Sequence, residues 1–282
     1  MLPSRTLGAR LKCELFQRTG SFKPRGALSR LSAFTPEERA RGAITISAGN
    51  HAQGLAYAAA LEGIDALVVM WRGVSAVKVA ATRGYGATVD LAAASPVEAF
   101  ERLGRLAAET GRVLVHPHED PLVLAGHGTV GLEVEEEAPE ADAVIVPVGG
   151  GGLVAGVQAA VGARTRVVAV EPERSRALHA GIEAGRPVEV ACASVADGLN
   201  APRCGALPLE LCRDLERVLV TEEEIEEAFR FLYARAKLAA EPAGAVAAAA
   251  LLAGKVRAER PVVIVSGGNV DPEIASGILA SR

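Results

Sequence analysis

A run of four consecutive glycines constrains the fold of this chain more than any other stretch. The run consists of Gly149, Gly150, Gly151 and Gly152. It follows an apolar segment at residues 143–148 and precedes an apolar stretch with helical spacing. A strand-to-helix turn without side chains lets several backbone N–H groups converge on one anion, and the helix N-terminus adds partial positive charge. The sequence therefore predicts an α/β fold with an anion-binding turn.

The glycine run differs from the two best-known nucleotide-binding loops. No Lys-Ser or Lys-Thr pair follows it, so it is not a P-loop. The glycines are not spaced as in the dinucleotide fingerprint, although Glu171 lies at about the distance of the acidic residue that the fingerprint requires. A dinucleotide-binding loop therefore stays open as an alternative.

Short apolar runs alternate with longer helical patterns along the whole chain, which predicts parallel sheets flanked by helices. The predicted strands are residues 11–14, 43–47, 66–70, 88–91, 113–116, 143–148, 166–170, 217–220 and 262–265. The predicted helices are residues 50–61, 75–84, 96–110, 153–161, 222–239 and 244–253. Residues 186–209 lack a clear period, and we predict a loop with one short helical turn there.

The four strands after residue 42 form a compact group that ends near His118, where residues 116–121 offer a crossing back. We therefore predict two lobes. Residues 1–41 and 119–282 form a large domain, and residues 42–118 form a small domain inserted in it. A chain of 282 residues is long enough for two separate cores.

Composition and charge exclude several classes of protein. The net charge is −4, with acids and bases interspersed, so no nucleic-acid partner is expected. The longest apolar stretch, residues 243–253, is too short to span a bilayer, and we predict a buried helix there. The N-terminus does not resemble a signal peptide. The cysteines lack CxxC or metal-binding spacing, which indicates thiols in a reducing cytoplasm.

Lys23 is the candidate nucleophile of the chain. Its neighbours Phe22, Pro24, Gly26 and Ala27 suit close packing more than a wet surface. Desolvation lowers the pKa of a lysine and makes it a better nucleophile toward an aldehyde. A lysine that forms an imine and a loop that binds phosphate are the two parts needed to hold pyridoxal phosphate. An ordinary exposed lysine stays the alternative on local sequence alone.

Two further polar clusters follow predicted strands. Ser47, Asn50 and His51 combine hydroxyl, amide and imidazole groups at the start of a predicted helix, where they are candidates for binding a carboxylate. Helix capping by Ser47 or Asn50 is the alternative. Ser266, followed by two glycines and Asn269, closes the strand at residues 262–265.

Taken in order, these segments closely resemble the fold-type II pyridoxal phosphate enzymes, specifically the threonine/serine dehydratase and serine racemase group. The resemblance implies the tryptophan synthase β-like architecture, in which each of two lobes is a parallel sheet flanked by helices. The matching segments are residues 19–23, 47–54, 125–133, 147–153, 196–198, 241–245 and 266–269.

The resemblance implies a role for each matched residue toward the cofactor. Lys23 would form the imine with pyridoxal phosphate and later serve as the base that removes a proton. Phe22 would pack against the cofactor ring, Asn50 would bind its 3′-oxygen, and Ser266 would face the pyridine nitrogen. Glu241 would lie near the ring. The phosphate would be held by Gly149, Gly150, Gly151, Gly152 and Leu153.

The resemblance also implies where the substrate binds. The substrate carboxylate would be received by Ser47, Asn50 and His51, with Arg105 as a further candidate. The small domain would clamp the substrate, and the large domain would bind the cofactor. Of the family's divalent-cation site, Glu171 and Ser175 fall at matching positions, whereas Ala177 stands where a carboxylate is expected. We expect a homodimer or homotetramer that acts on a small amino acid.

The implied reaction is a β-elimination that dehydrates and deaminates L-threonine or L-serine to a 2-keto acid and ammonia. A neutral Ser266, rather than an aspartate, suits loss of a β-leaving group and discourages transamination. Ala48 stands where serine racemases carry a serine base, which favours a dehydratase. A racemase or hydroxyaspartate dehydratase stays an alternative, and a non-catalytic small-ligand binding protein is a distant one.

Two expectations concern the ends of the chain. Members of the group usually have an extra N-terminal helix before the segment that begins here at Leu2, so the sequence starts late by comparison. Few residues follow Asn269, so we expect no regulatory domain of the kind found in feedback-inhibited threonine deaminases.

Overall fold

A computed structural model of the chain describes residues 1–281. In chain order the strands are β1 Leu2–Ser4, β2 Ala9–Cys13, β3 Ala43–Ile46, β4 Ala66–Trp71, β5 Thr88–Ala93, β6 Val113–Leu114, β7 Ala143–Pro147, β8 Arg166–Pro172, β9 Glu216–Val220 and β10 Pro261–Val265. The helices of the first half are α1 Lys23–Ser32, α2 Pro36–Arg41, α3 Asn50–Glu62, α4 Ala76–Gly84, α5 Pro96–Thr110 and α6 Pro121–Glu137. Those of the second half are α7 Gly152–Val161, α8 Ala177–Ala184, α9 Ala206–Leu211, α10 Glu222–Phe231, α11 Pro242–Leu252 and α12 Pro272–Ala280.

These elements divide into two compact units. Unit 1 consists of residues 1–22 and the chain from residue 127 onward, and unit 2 consists of residues 23–126. The predicted boundaries differ from this division, because residues 23–41 and 119–126 group with unit 2. The reason lies in α1, whose buried Ala27 and Leu31 share one apolar cluster with Ala52 and Leu55 of α3.

Unit 2 is built on a four-stranded parallel sheet with the strand order β5-β4-β3-β6. Side chains alternate between the two faces of a strand. Val68 and Met70 accordingly pack in the apolar cluster that contains α1 and α3. Val69 packs in a second cluster with Ala99 and Leu103 of α5. Helices α3 and α5 therefore cover opposite faces of this sheet.

Unit 1 is built on a six-stranded sheet with the strand order β1-β2-β10-β7-β8-β9. The strand β1 is antiparallel to β2, and the remaining neighbours are parallel. The alanine-rich helix α11 is buried almost throughout and packs in one cluster with Ile145, Val168 and Val263 of the sheet. The prediction of a buried helix at residues 243–253 is confirmed within one or two residues at each end.

Several predicted elements are corrected by the structure. The nine predicted strands are present with small shifts at their ends, and β1 was not predicted. Six helices were also not predicted: α1, α2, α6, α8, α9 and α12. The helix predicted at residues 222–239 is too long. Helix α10 ends at Phe231, a π-helical turn follows at Leu232–Ala236, and Lys237 closes it with a left-handed φ of 60°.

The loop predicted at residues 186–209 contains a 3-10 turn at Asp197–Leu199 and the beginning of α9. Both pieces lie next to the glycine run, as described below. Among the described residues, no helix is long and apolar enough to cross a membrane.

Candidate active site

The glycine run lies in unit 1, between the end of β7 and the start of α7. Gly151 is the N-cap of α7 and has a φ of 92°, a left-handed value that side chains rarely adopt. A Cβ atom at Gly151 would lie 2.6 Å from Pro208 Cβ, and one at Gly149 would lie 2.9 Å from Leu199 Cα. Glycine is therefore required at Gly151 by conformation and by space, and at Gly149 by space.

The backbone of this turn provides hydrogen-bond donors for an anion. The N–H groups of the first turn of a helix have no acceptor within the helix, and the helix dipole adds partial positive charge there. Gly152 and Leu153 begin α7, and Gly151 precedes them as the N-cap. The predicted phosphate-binding residues thus occupy a strand-to-helix turn with the geometry of an anion cradle.

Ser266 and Glu241 lie together at the end of β10 in unit 1. The hydroxyl of the buried Ser266 donates to the carbonyl oxygen of Ala243 at 3.5 Å. Glu241 is the buried N-cap of α11, and its backbone N–H donates to Gly267 O at 3.0 Å. A Cβ atom at Gly267 would overlap the carboxylate of Glu241, so a glycine is required for this approach. The structure therefore brings together two of the predicted cofactor-binding residues.

Phe22 is attached to the same loop. Its backbone N–H donates to Ser266 O at 3.2 Å, and Ser21 forms a β-bridge with Gly267. The Phe22 ring meets the ring of the buried His127 edge to face, with centroids 4.7 Å apart. The backbone of Phe22, immediately before Lys23 in the chain, is thus fixed to the loop that carries Ser266.

Lys23 begins α1 in unit 2 and is partly buried. Its Nζ atom donates to the carbonyl oxygen of Pro117 at 3.4 Å. Helix α3 approaches closely, because a Cβ atom at Gly54 would lie 2.9 Å from Lys23 Cβ. The local packing that the sequence predicted around Lys23 is therefore present, and it comes from α3 as well as from the neighbours in sequence.

His51 is buried as a neutral imidazole. Its Nε2 atom lies 3.1 Å from the carbonyl oxygen of Val115, so Nε2 carries the hydrogen. Burial, and secondarily the charge of Lys23, lowers the pKa of His51 to about 3. The Nδ1 atom is buried and finds no hydrogen-bond partner among the described residues. The side chain of His51 therefore has no proton to donate to a carboxylate, and only its backbone N–H is available for the predicted role.

The β3–α3 turn carries the other predicted carboxylate ligands. The N-cap of α3 is Gly49, without a side-chain cap, so the alternative that Ser47 or Asn50 caps this helix is wrong. Ser47 Oγ accepts the backbone N–H of Gly49 at 3.2 Å, and Asn50 is the first residue of α3. Because no side chain caps α3, backbone N–H groups of its first turn are available for an anion.

Arg105 lies elsewhere in unit 2. It is located on α5, and α5 covers the face of the sheet opposite to α3. The structure does not bring Arg105 to the β3–α3 turn, and sequence spacing could not have shown on which face the helix packs.

Glu171 and Ser175 are engaged in hydrogen bonds within unit 1. The carboxylate of Glu171 accepts the N–H groups of Leu178 at 2.7 Å and His179 at 2.9 Å, so it caps α8. Burial raises the pKa of Glu171 to about 7. Ser175 Oγ donates to Leu199 O at 3.1 Å. Within residues 1–281, no group of three or more His, Cys, Asp or Glu side chains is arranged to hold a metal ion, and these two residues serve the fold.

Sequence reasoning missed the main-chain groups that hold the predicted residues. The carbonyls of Val115 and Pro117, between β6 and α6, bind His51 and Lys23. Main-chain carbonyls carry no residue-type signal. Their position follows from the path of the chain after β6, and the sequence only suggested a crossing there.

The residues present fit a phosphate-bearing aldehyde cofactor. The glycine turn is a cradle that side chains at Gly149 and Gly151 would fill, and Lys23 is a partly buried amine. The hydroxyl of Ser21, fully buried beside Phe22, has no hydrogen-bond partner in the described chain, which marks a place where a polar group is missing. A parallel α/β fold with these features defines an enzyme that depends on such a cofactor.

The family model described as "Pyridoxal-phosphate dependent enzyme" matches residues 2–268, and the chain belongs to this family. The chain is 42% identical over 276 residues to the L-threonine ammonia-lyase of Thermotoga maritima, and the match covers 95% of this chain and 69% of that relative. Its fold is fold-type II, the architecture that the sequence predicted.

Solved structures agree with this assignment. A threonine deaminase from the source abbreviated T.th. superposes with a TM-score of 0.89 at 40% identity, covering 96% of this chain and 92% of that one. Maize serine racemase superposes with a TM-score of 0.91 at 35% identity, covering 98% and 89%. The chain is therefore an enzyme that uses pyridoxal phosphate.

Proposed function

We propose that this enzyme removes water and ammonia from L-threonine or L-serine and releases a 2-keto acid. The relatives named as threonine ammonia-lyase and threonine deaminase support this reaction. The observation that carries the proposal is Lys23, whose Nζ is held by Pro117 O and whose Cβ lies against Gly54 of α3. A protein that only bound a small ligand would not need a lysine in this setting.

Pyridoxal phosphate, when bound, supplies an electron sink for the electron pair left at the substrate α-carbon. Lys23 binds this cofactor, and its Nζ then takes the α-proton of the substrate. The carbonyl of Pro117 orients Nζ by accepting one of its N–H groups. Packing against α3 removes water from the lysine, which favours the neutral amine that proton removal requires.

The glycine turn binds the cofactor phosphate. The backbone N–H groups of Gly149, Gly150, Gly151, Gly152 and Leu153 donate to it. Phe22 packs against the ring and Glu241 lies near it. Ser266 faces the ring nitrogen with a neutral hydroxyl, which does not hold a proton on that nitrogen as a carboxylate would, and this suits loss of the β-hydroxyl.

The substrate carboxylate binds at the start of α3. Ser47 and Asn50 contribute side chains, and Asn50 also binds the cofactor's 3′-oxygen. His51 contributes its backbone N–H, because its imidazole donor is used by Val115 O. The carboxylate thus lies at a helix N-terminus, where a negative charge is stabilised. Arg105 is omitted from this proposal because of its position on α5.

Racemisation is the second candidate reaction, because maize serine racemase shares the fold. A racemase needs a second base on the opposite face of the α-carbon. Ala48 stands where a serine would supply it, and a methyl group cannot carry a proton. Dehydration is therefore the favoured reaction, with hydroxyaspartate as a further substrate to be tested.

We further propose that unit 1 binds the cofactor and unit 2 clamps the substrate, and that the enzyme is a cytoplasmic homodimer or homotetramer. The four cysteines are free thiols, as a reducing compartment maintains them. Sedimentation analysis of the holoenzyme tests the oligomeric state.

The test of the proposed function is keto acid formation by the holoenzyme. Supplied with L-threonine, the wild type should produce 2-ketobutyrate, and Lys23→Ala should lose at least about 1,000-fold in kcat because both binding and proton removal depend on this amine. Lys78→Ala, on α4 of the same unit, is the matched control and should keep the wild-type rate. Normal turnover by Lys23→Ala would refute the proposal.

A further inference from the structure

A segment far from the glycine run in sequence packs directly behind it. We call residues 199–208 the backing segment. Leu199 lies against Gly149, and Pro208 and Cys204 lie against Gly151, where a Cβ atom would be 3.0 Å from Cys204 Sγ. Leu199 and Cys204 are both buried. The glycine run therefore has one side in contact with protein, and the position of its peptide groups depends on that contact.

The carbonyl of Gly150 is held by two donors from the backing segment. The backbone N–H of Gly205 donates to Gly150 O at 3.2 Å. The thiol of Cys204 donates to the same oxygen with a sulfur-to-oxygen distance of 3.6 Å. Because the donors come from adjacent residues, they fix the direction in which this carbonyl points.

The orientation of this carbonyl determines the orientation of an N–H group. No cis peptide bond occurs in the described chain, so the N–H of Gly151 points away from Gly150 O. With Gly150 O turned toward Cys204 and Gly205, the Gly151 N–H is turned away from the backing segment. It then points to the side of the turn where the cradle is open to an anion.

We propose that Cys204 is a positioning residue for the phosphate-binding turn, acting through Gly150 O to aim the N–H of Gly151 at the phosphate monoester of the cofactor. The inference rests on the proposed function. A thiol is a weak donor, so its effect appears in the affinity for the phosphate-bearing cofactor and in the environment of the phosphate. The chemical steps, which occur elsewhere on the cofactor, should not depend on it.

Cys212 provides the matched comparison. It is as fully buried as Cys204 and follows α9, the helix that begins just after the backing segment's thiol. Its backbone N–H donates to Pro208 O at 3.0 Å, so it lies on the far side of Pro208 from the glycine run in sequence. Removal of this thiol controls for the loss of a buried sulfur atom.

The experiment is a titration of the full-length apoprotein with pyridoxal phosphate, together with the 31P resonance of the bound cofactor. Cys204→Ala should raise the Kd about threefold to tenfold and shift the 31P resonance, with kcat at saturating cofactor within about twofold of wild type. Cys204→Ser, which retains a donor, should recover most of the affinity. Cys212→Ala should leave the Kd and the resonance unchanged.

A second variant keeps the test decisive if Cys204→Ala does not fold. Cys204→Val fills the space of the thiol without a donor and should show the same rise in Kd and the same shift. A wild-type Kd and resonance in the folded donor-free variant, or an equal change in Cys212→Ala, would overturn the role of Cys204. If wild type itself binds no pyridoxal phosphate, the proposed function fails and this inference fails with it.

Discussion

His51 shows at the residue scale how burial determines a protonation state. The ring is 3% exposed and donates from Nε2 to Val115 O, and its pKa falls to about 3 through burial and the nearby charge of Lys23. In the unfolded chain a histidine titrates near its ordinary value of about 6.5. Below that pH the unfolded state binds more protons than the folded state, so the stability rises with pH between about 3 and 6.5.

This titration predicts a measurable loss of stability in acid. Lowering the pH from 7 to 5 should reduce the free energy of unfolding by about 2 kcal/mol through His51 alone. His51→Gln keeps a donor near the Nε2 position but does not titrate, so its loss over the same interval should be smaller by about that amount. Urea unfolding at the two pH values measures both, and equal losses would contradict the assigned state of His51.

Gly151 illustrates a second residue-scale constraint, in which conformation and space act together. Gly151→Ala forces a side chain into a left-handed φ of 92° and against Pro208. We expect a loss of about 2 kcal/mol or more in stability and a large loss of cofactor affinity. Gly104→Ala is the control, because that glycine lies within α5 with open space around it. It should gain up to about 1 kcal/mol. Thermal unfolding compares the two, and equal effects would be inconsistent with the strain argument.

At the scale of the element, helices of this chain are capped in two different ways. Helix α10 begins with a capping box in which Thr221 and Glu224 exchange hydrogen bonds, a local pattern that the sequence displays. Helix α8 is capped by Glu171, which comes from the preceding strand β8. A distant cap leaves no local signal, which explains in part why α8 was not predicted.

The two kinds of cap predict different costs. Glu171→Ala leaves two buried N–H groups without an acceptor and should cost about 2 to 3 kcal/mol. Thr221→Ala removes one bond at a partly exposed helix end and should cost about 1 kcal/mol. Chemical denaturation at pH 8, where Glu171 is mostly ionised, measures the difference. A smaller cost for Glu171→Ala than for Thr221→Ala would contradict the capping role.

Element by element, the sequence predicted the strands better than the helices. Buried parallel strands such as β7 and β10 are short apolar runs rich in Val and Ile, which is a local property. The end of α10 depends on Lys237 in a left-handed conformation and on the hydrogen bond from Leu238 N to Leu232 O. The periodic pattern continued through that turn, so the predicted helix ran on past it.

At the scale of the whole molecule, each of the two units has its own sheet and its own apolar clusters. The predicted domain boundary after residue 41 followed the onset of regular strands. The boundary in the structure falls between Phe22 and Lys23, because α1 packs on α3. Which cores a helix such as α1 joins depends on long-range packing and could not be determined from its own residues.

The same long-range packing limits what the sequence could reveal of the candidate site. Motifs at Lys23 and the glycine run named the candidate cofactor ligands, because those residue types are scarce in such surroundings. The position of Arg105 on α5 and the buried donor of His51 depend on how unit 2 folds. Neither could be read from spacing along the chain.

Cofactor binding should stabilise the whole molecule. A ligand that binds only the folded state adds about 2.7 kcal/mol at a concentration about 100 times its Kd. Addition of pyridoxal phosphate to the apoprotein should therefore raise the Tm by several degrees in calorimetry. Lys23→Ala should show a smaller rise at the same concentration, and an unchanged Tm in wild type would contradict cofactor binding.

The most direct test of the central claim is the covalent trapping of the cofactor. The holoenzyme is reduced with borohydride, digested and analysed by mass spectrometry, with and without prior addition of L-threonine. We predict a phosphopyridoxyl adduct on Lys23 that diminishes when L-threonine is added first, while 2-ketobutyrate appears. An adduct on a different lysine, or none at all, would contradict the assignment of Lys23 and the dehydratase that we build on it.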